Sequence, residues 1–150
     1  MQVVGGIDPR RWFDRMQPQT LQIATMLAYF ECFFSAVAIL DGGGYLGFLA
    51  RRSAFWLLVV VVATVSLAAG GLLMANDRRL GWRLLIGASV APFLLRMATM
   101  TILGASSPSP IDWIVARPAG GSVLTAIFDA ALVALLLHPQ SRSHQRLWYR

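Results

Sequence analysis

Three ionisable side chains fall inside long apolar runs: Glu31, Arg96 and Asp129. A charge at bilayer depth costs roughly 2.5–3.5 kcal/mol on insertion scales, so each needs a partner or a watery pocket. A guanidinium can hold a carboxylate by two parallel hydrogen bonds, the pairing that best offsets removal of both charges from water. With two acids for one base, either Arg96 ties two helices together or one acid is left to exchange a proton for a cation, as intramembrane acids in transporters do. The expectation is a buried Glu31, Arg96 and Asp129 cluster that first of all fixes how helices or subunits assemble.

Other reactive groups are few. His138 and His144 lie at or beyond the end of the last apolar run, where a histidine caps or faces solvent more often than it binds metal or haem. Cys32 is the only cysteine, which excludes an internal disulfide and a CxxC pair, and packing is its expected role. There is no P-loop, no GxSxG elbow and no HExxH, and GGGYLG from Gly42 reads as a hinge. No enzyme activity, cofactor or metal is expected.

The elements that must position the three charges follow from composition. The chain is 57% hydrophobic and 13% charged, with mean hydropathy +0.61, against about 25% charged residues in soluble domains. Its apolar residues gather into four blocks of spanning length, about 20–40, 54–75, 80–103 and 122–137. The expected fold is an all-α membrane protein, one domain of four transmembrane helices in a bundle. Met1 to Gln19 lacks the apolar core of a secretory signal, so the first span should be retained. At about 1.5 Å per residue, Glu31 and Asp129 reach similar depth, with Arg96 somewhat nearer the outer surface.

Small residues at four-residue spacing mark candidate close helix approaches: Ser66 and Gly70, Gly87 and Ala91, and the series Ala126, Ala130, Ala134. Pro92 removes the donor for the Ala88 carbonyl and should bend the third span one turn before Arg96. Asn76–Arg79 is short enough only for a tight hairpin, which makes spans two and three antiparallel neighbours. The connection Gly104–Gly121 reads as a loop with a short interfacial element around Trp113.

Both termini read as interfacial helices. The first, Ile7–Met16, has Asp8 as N-cap and Arg10, Arg11 and Trp12 as membrane-surface anchors. The second carries Arg142, Arg146, Trp148 and Tyr149 as anchors. All basic residues are arginine, thirteen in number, and the net charge is +6. Most flank apolar blocks, where they meet anionic headgroups, so the lipid bilayer and not nucleic acid is the expected partner. If both termini and the Asn76–Arg83 connection share a side, that side holds nine arginines against three, and the positive-inside rule makes it cytoplasmic.

The segment Phe128–Arg150, FDAALVALLLHPQSRSHQRLWYR, resembles the C-terminus of small uncharacterised four-span membrane proteins of high-GC, actinobacterial-type bacteria. That resemblance implies the same span number and a bacterial inner-membrane location, and it brings no activity with it. Size and small-residue faces point to an accessory or scaffolding subunit of a larger respiratory or transport complex, partnered by other integral membrane subunits. The alternative is a small homo-oligomeric proton-coupled transporter using Glu31 or Asp129.

Overall fold

Pro18 opens the first helix: its fixed φ and extended ψ cannot continue a helix backwards, while its carbonyl accepts from the N–H groups of Leu21 and Gln22. The computed structural model describes residues 6–8, 11, 17–42, 49–103 and 123–149, with all their side chains except those of 96, 99, 100, 103 and 123–125. The helices are α1 (Gln19–Asp41), α2 (Ala54–Ala75), α3 (Arg79–Leu103), α4 (Val123–Leu137) and α5 (Pro139–Trp148). No strand occurs among the described residues. The four long helices begin and end within one residue of the apolar blocks. Of the expected N-terminal helix, Ile7, Asp8 and Arg11 are described and are not helical; its other residues and the Gly104–Gly121 connection lie outside the described residues.

The helix ends follow local chemistry. α1 stops where Gly42 adopts φ 59°, the left-handed conformation glycine takes without a Cβ penalty. Ser53 caps α2, its hydroxyl accepting from the Trp56 N–H at 3.3 Å. α2 closes in a Schellman motif: Arg78 N–H donates to the Leu73 carbonyl at 3.0 Å and Asp77 N–H to that of Met74 at 3.1 Å. Asp77 holds the left-handed position at φ 55°. At the other junction His138 caps α5, Nδ1 accepting from the Gln140 N–H, and Pro139 takes the first turn.

The four long helices pack in a closed ring, α1 on α2, α2 on α3, α3 on α4 and α4 on α1. Hydrogen bonds fix one end of the ring. Gln17 Nε2 donates to the Met74 carbonyl at 2.7 Å, Ser141 Oγ meets Thr20 Oγ1 at 3.0 Å, and Arg79 Nε donates to the Tyr149 carbonyl at 2.8 Å. Asp8 and Asn76 exchange two bonds, Asp8 N–H to Asn76 Oδ1 and Asn76 Nδ2 to the Asp8 carbonyl. The start of α1, the α2–α3 hairpin and α5 therefore share one end, and the bundle runs up, down, up, down. α1 and α2 are each long and apolar enough to cross a membrane, and α4 carries a shorter apolar run, Ala126–Leu137.

Candidate functional site

α1 presents Leu21, Ala24, Thr25, Ala28, Glu31 and Ser35 inward, a stripe at helical spacing. α4 presents Ala126, Asp129, Leu132 and Leu136. Glu31 is 7% exposed and Asp129 1%, so both acids lie on the packed stripes of helices that touch each other. Each of the two residues takes part in a polar or electrostatic interaction. Arg96 occupies a backbone position in α3 one turn beyond buried Pro92, and its side chain lies outside the described residues.

Two apolar clusters bracket this level. One gathers Leu21, Ala24, Ala28, Leu67, Met74, Leu85, Ala88, Leu132, Leu136 and Tyr149. The other, toward the opposite end, joins Leu49, Val60 and Leu95 with Ile39, Trp56 and Ile102 around them. Along α1, Glu31 and Ser35 fall between Ala28 of the first cluster and Ile39 beside the second. Along α2, Thr64 falls between Val60 and Leu67; along α3, Ser89 and Pro92 fall between Ala88 and Leu95. Asp129 adjoins the first cluster through Leu132. The inward polar groups thus form a layer across the bundle. Two of its hydroxyls are satisfied locally, Thr64 donating to the Val60 carbonyl at 2.9 Å and Ser89 to that of Ile86 at 3.0 Å. Pro92 runs inside α3 without ending it and leaves the Ala88 carbonyl without its ladder donor at this same level.

The outer surface is the reverse. Between Ile23 and Leu40 the exposed residues of α1 are Ile23, Met26, Phe30, Phe33, Phe34 and Leu40; those of α2 are Ala54, Phe55, Leu57, Leu58, Val61, Val62 and Val65. On these stretches the exposed side chains are apolar, while the buried positions of the two helices include Thr25, Glu31, Ser35 and Thr64.

Of the small residues expected to mediate close approach, only some do so within the chain. Gly70 does: a Cβ there would meet Leu85 Cγ at 2.8 Å and the Gly81 carbonyl oxygen at 3.2 Å, while Ser66 is half-buried. Gly87 does not, since nothing lies within 4 Å of where its Cβ would be. Ala91 is half-buried and Ala126 buried, but Ala130 and Ala134 are exposed. α4 turns its Ala126, Asp129, Leu132 and Leu136 side inward because Leu132 and Leu136 bury more apolar area than two alanines could.

The anchors divide similarly. Arg142, Arg146 and Trp148 are exposed and Arg11 is exposed, while Arg10 and Trp12 lie outside the described residues. Tyr149, expected at the surface, is 2% exposed: past α5 the chain turns extended and tucks this ring into the first cluster. His144 stacks on Trp148 and meets Tyr149 edge-on, and Cys32 packs against the first cluster. Among the described residues no group of His, Cys, Asp or Glu could hold a metal ion.

Residue-type reasoning passed over Gly81 and Gly71, which make close approaches. Gly81 touches the α2 backbone at Leu73 and Met74, and Gly71 faces the Tyr29 ring. The signal was present as glycines beside the predicted hairpin and as the pair Gly70–Gly71.

Fold and layer together define an up-and-down bundle of four long helices, two of them long and apolar enough to cross a membrane, with ionisable groups in its interior. No family model, curated protein or solved structure matches the chain.

Proposed function

We propose that this chain crosses a bacterial inner membrane four times, with both termini in the cytoplasm, and serves as an accessory or scaffolding subunit of a larger membrane complex of respiratory or transport type. The carrying observation is where small residues go. Gly87, Ala130 and Ala134 lie on the outer surface of α3 and α4, amid an apolar exterior, and are not used in the chain's own packing. Outward small residues let a neighbouring helix approach closely, which is how membrane helices associate where lipid removes the hydrophobic driving force. The inverted polarity supports the membrane reading, since apolar flanks suit lipid and inward polar groups are thereby kept from it. Sharing one end between the N-terminal segment, the hairpin and α5 agrees with the nine-arginine count that sets orientation. The likeness of Phe128–Arg150 to four-span proteins of high-GC bacteria points the same way.

In this reading Arg96 pairs with Glu31 and Asp129 and pins α1, α3 and α4 in register. The test is native mass spectrometry of the complex extracted in mild detergent. Wild-type chain should carry larger integral partners, and Gly87→Leu with Ala134→Leu should lose them while the free chain keeps its helicity. A monomeric wild type, or a complex indifferent to both substitutions, rejects it.

The buried acids favour a second reading, a homo-oligomeric proton-coupled transporter. It requires substrate-dependent proton flux in liposomes that vanishes in Glu31→Gln or Asp129→Asn.

A further inference from the structure

The first turns of α3 carry Arg79 and Arg83 one turn apart, and α5 carries Arg142 and Arg146 at the same spacing. All four are exposed, and neither helix contains an acidic residue. The bond from Arg79 Nε to the Tyr149 carbonyl fastens the two helices, so both pairs belong to one end of the bundle. Arg11 and Arg78 lie at this end too, against Asp8 and Asp77 as its described acids.

Like charges four apart on a helix repel, and the two at the start of α3 also face the positive end of its dipole. Such a surface is stabilised by an anion. On α5, Leu147 and Trp148, 79% and 65% exposed, stand beside Arg146. Apolar and aromatic side chains next to guanidinium groups, at the end of an apolar-flanked bundle, match the boundary between acyl chains and headgroups.

We propose that Arg79, Arg83, Arg142 and Arg146 form a binding surface for the phosphodiester headgroups of acidic phospholipids. Guanidinium groups bind phosphate oxygens bidentately, which a zwitterionic headgroup answers less well because its own cation competes. The proposal rests on the membrane reading above and does not depend on the subunit role.

The full chain is reconstituted in phosphatidylcholine bilayers with trace spin-labelled phosphatidylglycerol or phosphatidylcholine, and the motionally restricted fraction of each is measured. The anionic lipid should be preferred roughly threefold to fivefold at low salt, an arginine at a charged surface being worth about a factor of five. The preference should fall with salt and approach one in Arg142→Gln with Arg146→Gln, and separately in Arg79→Gln with Arg83→Gln, at unchanged helicity. Equal restriction of both lipids by wild type, or a preference the variants keep, overturns the proposal. Displacement of phosphatidylglycerol by inorganic phosphate beyond a chloride control overturns the lipid as occupant in favour of a soluble anion. Displacement by polyglutamate beyond that control does so in favour of an acidic protein segment. If neither lipid is restricted, the membrane reading itself fails and this proposal goes with it.

Discussion

One substitution made at two glycines of α3 should give opposite results. A Cβ built on Gly81 would run into the Met74 nitrogen and lie 2.7 Å from both the Leu73 carbonyl carbon and Leu73 Cβ. Two of these are backbone atoms of α2, which no rotamer change can move aside. Ordinary carbon contacts lie near 3.5–4.0 Å, so the helices must separate by about 1 Å at their crossing. Overpacking of this kind costs about 1–3 kcal/mol. At Gly87 the same methyl meets nothing within 4 Å, and replacing a helical glycine by alanine should stabilise by about 0.5–1 kcal/mol. Both glycines are helical, so the propensity gain is common and the two variants should differ by the overpacking cost, about 1–3 kcal/mol, with Gly81→Ala the weaker. Gly71→Ala falls between them, because the Tyr29 ring that its Cβ would touch at 3.0–3.2 Å can swing. The assay is a titration from mild detergent into sodium dodecyl sulfate followed by far-UV circular dichroism. Equal midpoints for Gly81→Ala and Gly87→Ala would refute the close α2–α3 approach and the ring of helices built on it.

Two further outcomes follow. Ser141 is fully buried, and its hydroxyl donates to the Leu135 carbonyl at 2.7 Å and shares a second bond with Thr20. Ser141→Ala should cost about 1–2 kcal/mol and raise hydrogen exchange across α5; unchanged exchange would mean that α5 is held by other contacts. For the polar layer, a double-mutant cycle of Asp129→Asn with Arg96→Gln should give a coupling of about 1–3 kcal/mol. The Glu31→Gln cycle with Arg96→Gln should do likewise, and additivity in both would remove Arg96 as the partner of these acids.

The helix limits were legible because the stop signals are local. Pro18, Gly42, the Asn76–Arg78 turn and the His138–Pro139 step each act within a turn of the chain, whatever surrounds them. Which side of each helix faces inward was less legible. α1 and α2 are apolar nearly all round, so no polar face marks an outside, and Thr25, Glu31, Ser35 and Thr64 are the buried polar residues that betray the inward stripe. The small-xxx-small pattern has the same ambiguity. Gly70 and Gly87 carry it equally, yet one meets Leu85 and the other open space, because the pattern records a smooth strip and not what lies against it. Leu49 and Tyr149 were hidden for a different reason: each sits in a connecting or terminal segment, and only the assembled bundle shows that a cluster end needs a lid.

The arrangement of polarity constrains any function that this chain performs. In water, a bundle exposing Phe30, Phe33, Phe34, Phe55 and Leu58 while burying Glu31 and Asp129 would lose free energy twice, once on apolar area left outside and once on charges taken inside. Lipid removes the first loss, because an acyl chain is as apolar as the side chains it touches. It also raises the cost of turning an acid outward, so the interior becomes the better place for a charge. Thr25, Thr64 and Ser89 answer their own hydroxyls with carbonyls three or four residues back on the same helix. An ionised carboxylate accepts only, and a helix interior offers no spare donors, so Glu31 and Asp129 in that form would draw theirs from outside their own helices. In the reading proposed above Arg96 supplies those donors, and the layer would then hold α1, α3 and α4 in register even where no substrate is bound.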